Sequence, residues 1–156
     1  MKNILFVCLG NICRSPAAEG VMKKKSKGMP LHIESAGTAG YHVGDLPDAR
    51  MRQHAAKRGY TLESHARKFN PETDFERFDM IIAMDRENLS DLQRMDRNKR
   101  YRGKLSLMTD YCEKMDLGEV PDPYYEGPEG FEFVLDILED ACEGLRKKLA
   151  VQATGG

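Results

Sequence analysis

An apolar run, Ile4-Leu5-Phe6-Val7, passes directly into the octet Cys8-Leu9-Gly10-Asn11-Ile12-Cys13-Arg14-Ser15 and then Pro16. The run is short, continuous and rich in β-formers, which suits a strand buried on both faces, as in a parallel sheet. Ser15 before Pro16 reads as a helix N-cap with proline at the first helical position, and Gly28 reads as the stop. Between them a basic-faced helix is expected, with Ala18, Val21 and Met22 turned inward. A strand, a tight turn and a helix in immediate succession commit the chain to an α/β architecture. The turn then lies beyond the strand's carboxyl end, where such sheets bind ligands.

Cys8 and Arg14 flank that turn. In a loop that opens a helix, several backbone N–H groups converge, and the helix dipole adds partial positive charge at the same point. A dianion fits there, and a thiol at such an electropositive position ionises more readily than an isolated one. Cys8 is therefore expected to react as a thiolate. Arg14 offers a planar fork for two phosphoryl oxygens, a task that a lysine point charge does less well. The Ser15 hydroxyl is placed to donate to the sulfur. Gly10 is expected to supply positive φ, and Asn11 to tolerate left-handed geometry and brace the loop. The nucleotide-binding loop with its Gly-Lys-Ser/Thr signature is a different object, because no lysine or second glycine occupies those places.

Asp122, between Pro121 and Pro123 and followed by Tyr124 and Tyr125, is a candidate proton donor. A phenolate is a poor enough leaving group to benefit from protonation, the flanking prolines stiffen the backbone, and the two rings could flank an aryl group.

Val7 through Pro16, VCLGNICRSP, closely resembles the low-molecular-weight protein tyrosine phosphatase family. Further blocks resemble it in the same order: Ser35-Ala36-Gly37-Thr38 with Gly44 and Pro47-Asp48-Ala49-Arg50; Phe78-Asp79 through Ala83-Met84-Asp85 with Asn88-Leu89; and Asp122-Pro123-Tyr124-Tyr125. The resemblance implies a three-layer α/β domain with a four-stranded parallel sheet, order 2-1-3-4, and helices on both faces. It implies hydrolysis of phosphotyrosine through a cysteinyl-phosphate intermediate, with Cys8 as nucleophile, Arg14 and the loop from Leu9 to Ser15 binding phosphate, and Asp122 as acid and then base. No cofactor and no metal are expected. Tyr41, His42, Tyr124 and Tyr125 would line the cleft, and Ser35 would support the loop.

Cys13 has two readings, packing behind the loop or forming a reversible disulfide with an oxidised Cys8, and the resemblance favours the second. A zinc site is disfavoured, since Cys112 and Cys142 lack paired spacing with the first two cysteines. One departure stands out. The family places a histidine two residues before an Ala-Arg pair, whereas here Ser64 occupies that place and His65 is shifted by one, so an exposed His65 is expected.

Three further functions remain in view. A phosphoarginine phosphatase would use the same loop. A thiol-linked arsenate reductase would need two more redox cysteines on a mid-chain segment, and residues 70 to 95 hold none. A non-hydrolytic phosphate-binding module would lack the acid.

With 156 residues, 40% hydrophobic and 31% charged, one domain over 1–150 is expected, with 151–156 as a flexible tail. The net charge of −1 argues against a general nucleic-acid binder. Basic clusters at Lys23–Lys25 and Arg97–Arg102 are either solvated faces or a docking surface for an acidic partner. No apolar stretch long enough for a membrane span and no signal peptide is visible. A cytoplasmic chain that is monomeric or at most weakly dimeric is expected, with tyrosine-phosphorylated proteins as partners and inorganic phosphate as product.

Further strands are expected at Leu31–Ser35, Met80–Met84 and Lys104–Met108, with helices at Asp48–Arg58, ended by Gly59, and at Glu87–Met95. Phe131, Val134, Leu135, Leu138, Ala141, Cys142, Leu145 and Leu149 recur at helical spacing and form a core stripe.

Overall fold

Alternation along the first strand builds the domain. In β1 (Lys2–Cys8), Ile4, Phe6 and Cys8 face one hydrophobic cluster, while Leu5 and Val7 face another. A strand with apolar residues on both faces can only be central, and it is: four parallel strands run in the order β2-β1-β3-β4. The others are β2 (Leu31–Gly37), β3 (Met80–Ala83) and β4 (Leu105–Leu107). The computed structural model describes residues 1–124 and 126–154.

One face of the sheet packs against α1 (Arg14–Lys25) and α5 (Pro128–Thr154), with α2 (Ala49–Lys57) beside them. The other face is covered by α3 (Asp74–Arg77) and α4 (Arg86–Met95), through Phe75 and Leu92. The result is the expected three-layer α/β fold with strand order 2-1-3-4. The apolar stripe of α5 is core as expected: Phe131, Val134, Leu135, Leu138, Ala141, Cys142, Leu145 and Leu149 are all buried. Each large side chain removed from water in this way contributes about 1.5–3 kcal/mol. At Gly144, α5 rides directly against the Tyr111 carbonyl, since a Cβ there would lie 1.9 Å from that oxygen.

Several boundaries differ from the sequence expectation. The first helix begins at Arg14 with Cys13 at its N-cap, so Ser15 is not the cap and no side chain caps this end. Its first part is also not amphipathic, because Arg14 through Met22 are all buried. The basic cluster Lys23–Lys25 falls in the last turn, where it complements the helix dipole. There Lys23 pairs with Glu19, Lys25 with Glu143, and Lys24 donates to the Gly59 carbonyl. The strand β2 extends to Gly37 because it pairs with β1 as far as Cys8. Lastly, α5 continues to Thr154, so residues 151–154, expected as tail, are helical.

In the strand order 2-1-3-4 the chain winds from β1 to one side for β2, then crosses back over β1 to reach β3. The connections after β1 and β3 therefore diverge and leave a crevice at the carboxyl ends, the switch point where open α/β sheets bind ligands. The turn from Cys8 to Arg14 lies there.

Candidate active site

The loop from Cys8 to Arg14 is held by its carbonyls. The Thr38 amide donates to the Cys8 carbonyl at 2.9 Å, the Ala39 amide to that of Leu9 at 2.9 Å, and the Asp48 amide to that of Ile12 at 2.6 Å. With these carbonyls engaged by surrounding segments, the loop does not have to satisfy them inside the turn. This close docking depends on Gly37, where a Cβ would lie 2.7 Å from the Leu9 carbonyl and 3.1 Å from the Asn11 nitrogen. Positive φ in the loop occurs at Asn11, with φ 58°, and not at Gly10 as expected. Asparagine tolerates this region better than most residues, because its short side chain can bond locally.

Asn11 uses both ends of its buried amide. Its Nδ2 donates to Ser15 Oγ at 2.7 Å, and its Oδ1 accepts the Arg67 amide at 2.9 Å. Ser15 Oγ in turn lies 3.0 Å from Cys8 Sγ. The serine is thus freed from capping and serves the sulfur. The bracing place that the sequence leaves between Ser64 and His65 is filled by the backbone of Arg67, and His65 is exposed as expected. The Ser35 hydroxyl donates to Glu19 Oε1 at 2.6 Å and so ties β2 to α1, the helix that the loop opens.

Arg14 is 3% exposed and firmly rooted. Its Nη1 donates to Asp85 Oδ2 at 2.7 Å and to the Val120 carbonyl at 3.0 Å. Nη1 is fully engaged, so the edge that can face a phosphoryl group is Nε with Nη2. Burial works against the guanidinium charge, but the neighbouring Cys8 sulfur and the Asp85 hydrogen bond outweigh it and push the group further up. Asp85 has two roles at once. Its Oδ1 caps α4 by accepting the Asn88 amide at 2.7 Å, while Oδ2 holds Arg14. The sequence reading assigned Asp85 no role, although an aspartate after a buried strand and three residues before an asparagine is a recognisable cap.

Asp122 also approaches Arg14, with Oδ2 3.8 Å from Nη2 and its side chain 48% exposed. Cys8, Leu9, Gly10, Ile12, Cys13 and Arg14 form the floor of a cleft of about 310 Å³, and Tyr41, His42, Asp122 and Tyr124 form its walls. These are residues the sequence singled out; Tyr125 lies outside the described residues. A larger groove of about 810 Å³ beside Phe75 and Tyr101 has no cysteine in its lining, and Arg94 of α4 edges it together with Arg97 and Arg100 of the second basic cluster. The smaller cleft is therefore the chemically equipped one.

The other cysteines hold their protons more tightly than an ordinary thiol. Burial, followed by the nearby Cys8, pushes the Cys13 thiol well above the ordinary range, and burial does the same to Cys142. Cys112 is pushed up to about 12, again chiefly by burial. Among the described residues no group of three or more His, Cys, Asp or Glu side chains could hold a metal ion.

Comparison with known proteins identifies the family. Residues 3–154 match the family model described as low molecular weight phosphotyrosine protein phosphatase. A Synechocystis relative named for low molecular weight protein-tyrosine-phosphatases is 50% identical over 150 residues, 94% of this chain and 95% of its own length. The human low molecular weight phosphotyrosine protein phosphatase is 37% identical over 152 residues, covering 94% and 95%. A crystal structure of a protein tyrosine phosphatase from Entamoeba histolytica, with Hepes in its active site, superposes with a TM-score of 0.92 at 47% identity, covering 98% of this chain and 99% of that one. The chain is a member of the low molecular weight protein tyrosine phosphatase family, and its fold and enzyme class are those of that family.

Proposed function

We propose that this phosphatase hydrolyses phosphotyrosine in proteins through a covalent phosphocysteine on Cys8. The observation that carries the reading is the convergence of Cys8, a rooted Arg14 and Asp122 on one cleft. In the first step the Cys8 sulfur attacks phosphorus in line and the bond to the tyrosyl oxygen breaks. Nε and Nη2 of Arg14 and the loop amides hold the equatorial oxygens, and Asp122 gives its proton to the departing oxygen. In the second step Asp122, now ionised, takes a proton from water as it attacks phosphorus, and the sulfur leaves with Ser15 Oγ 3.0 Å away to stabilise it. Inorganic phosphate is released. No metal takes part in this scheme.

Tyr41, His42 and Tyr124 give the cleft aromatic edges, which favours an aryl phosphate over the shorter phosphoserine. Cys13, buried in the same cleft, is the thiol we assign to trap an oxidised Cys8 as a disulfide. Against an arsenate reductase, Cys112 is directed toward the Ile137 carbonyl and Cys142 toward that of Ala18 in the core. No helix among the described residues is long and apolar enough to cross a membrane. A reducing cytoplasm would preserve the free thiols that the mechanism requires.

The acid is the most diagnostic part. Asp122→Ala should lower kcat/KM for phenyl phosphate by about 10²–10³-fold. The loss should be much smaller with p-nitrophenyl phosphate, whose leaving group needs little protonation. Competitive inhibition by inorganic phosphate should be nearly unchanged. Equal losses on both substrates would remove Asp122 from the role of acid.

A further inference from the structure

Asp122 lies on a segment with little structure of its own. From Val120 to the start of α5 at Pro128 there is no helix or strand among the described residues, and Asp122 is half exposed. The segment is pinned at its beginning, where the Val120 amide donates to the Met84 carbonyl and the Val120 carbonyl accepts from Arg14. A proton donor must nevertheless be held to a fraction of an ångström, since a misplacement of about 1 Å can cost about 10²-fold in rate.

Arg50 supplies a second anchor. Its guanidinium carbon lies 4.8 Å from the centroid of the Phe131 ring on α5 and 5.3 Å from that of Tyr124, two residues past Asp122. Tyr124 is coupled to the acid directly, because its amide donates to Asp122 Oδ1 at 3.0 Å. The guanidinium is also clamped by Asp48, with Nε 3.2 Å from Oδ1 and Nη2 3.0 Å from Oδ2. Asp48 is itself fixed. Its side chain caps α2 by accepting the Arg50 and Met51 amides, and its own amide donates to the Ile12 carbonyl in the phosphate loop. Burial opposes the Asp48 charge, but the hydrogen bonds from Arg50 and from the helix amides hold its carboxyl below the usual range.

A continuous physical connection thus runs from the phosphate loop through Asp48 and Arg50 to the Tyr124 ring and the Asp122 carboxyl. We propose that Arg50 is a positioning residue for proton transfer: clamped by Asp48 and lying over the Phe131 and Tyr124 rings, it sets the distance between Asp122 and the phosphate loop. This rests on the reading of Asp122 as the acid. A planar, bidentate, stackable cation suits the position, and lysine offers only the charge.

The test is kcat/KM along a series of aryl phosphates from p-nitrophenyl phosphate to phenyl phosphate, which reports the step that forms phosphocysteine. Arg50→Ala should lose about tenfold on phenyl phosphate and little on p-nitrophenyl phosphate, with inhibition by inorganic phosphate unchanged. Arg50→Lys should fall between the wild type and Arg50→Ala in leaving-group sensitivity. In an Asp122→Ala background, adding Arg50→Ala should cause no further loss on phenyl phosphate, because the two act through one proton transfer. A uniform loss across the series, or additive losses in the double variant, would overturn the inference while leaving Asp122 as the acid. A series whose slope is unaffected by Asp122→Ala itself would instead overturn the general-acid reading, and this inference with it.

Discussion

Cys8→Ser should abolish turnover, lowering kcat for p-nitrophenyl phosphate by at least about 10⁴-fold, while inorganic phosphate still binds. A serine hydroxyl is weak as a nucleophile unless a base removes its proton. The group that meets the sulfur here is the Ser15 hydroxyl at 3.0 Å, which is no base. Phosphate binding should survive because the loop is shaped by its backbone, through the amides of Thr38, Ala39 and Asp48 on its carbonyls, none of which involves the sulfur. The same assay run in EDTA should show wild-type activity intact.

Arg14→Lys should lower kcat/KM by about 10²–10³-fold, the scale of losing a positioned donor to the transition-state charge. The change appears conservative only if charge is counted. Arg14 binds Asp85 and the Val120 carbonyl with Nη1 and still presents Nε and Nη2 to the cleft. A lysine ammonium occupies one point, so it can either stay with Asp85 or turn toward phosphate. If it turns, a largely buried carboxylate oxygen and the Val120 carbonyl lose their partner, and the resulting cost of about 1–3 kcal/mol should appear as a lower thermal midpoint. A variant with normal kcat/KM and normal stability would contradict both roles.

These effects trace back to features of unequal visibility in the sequence. The strand, turn and helix at the amino terminus were legible because each is local: a doubly buried strand needs an apolar run, and the loop residues adjoin one another. The helix start was misread for a definite reason. The first amides of a helix have no intrahelical acceptor, so proline is tolerated throughout the first turn and Pro16 does not fix the frame; it lies two residues into a helix that begins at Arg14. The Ser15 hydroxyl, read as a cap, is needed by Cys8 and Asn11 instead. Positive φ went to Asn11 and not to the adjacent Gly10, a choice between two permissive residues that the turn makes as a whole.

What could not be read was long-range. Asp85 reaches Arg14 across 71 positions, and the Arg67 amide reaches Asn11 across 56. Ser35 turned to Glu19 because α1 packs beside β2, a matter of helix placement and not of motif. Arg50 gains its place only when α2 and α5 are side by side. The four-residue α3 is too short to show a period. Toward the carboxyl end, Ala153 and Thr154 carry no stop signal, and α5 includes both.

The covalent intermediate is the point on which the chemistry turns, and rapid acid quench of the enzyme during turnover of a good aryl phosphate, followed by mass mapping of its peptides, reads it directly. One phosphoryl group should be found on Cys8, appearing as fast as the first equivalent of phenol is released, and it should be missing in Cys8→Ser. Full turnover with no phosphorylated cysteine at any quench time, or with phosphate on another residue, would contradict the account.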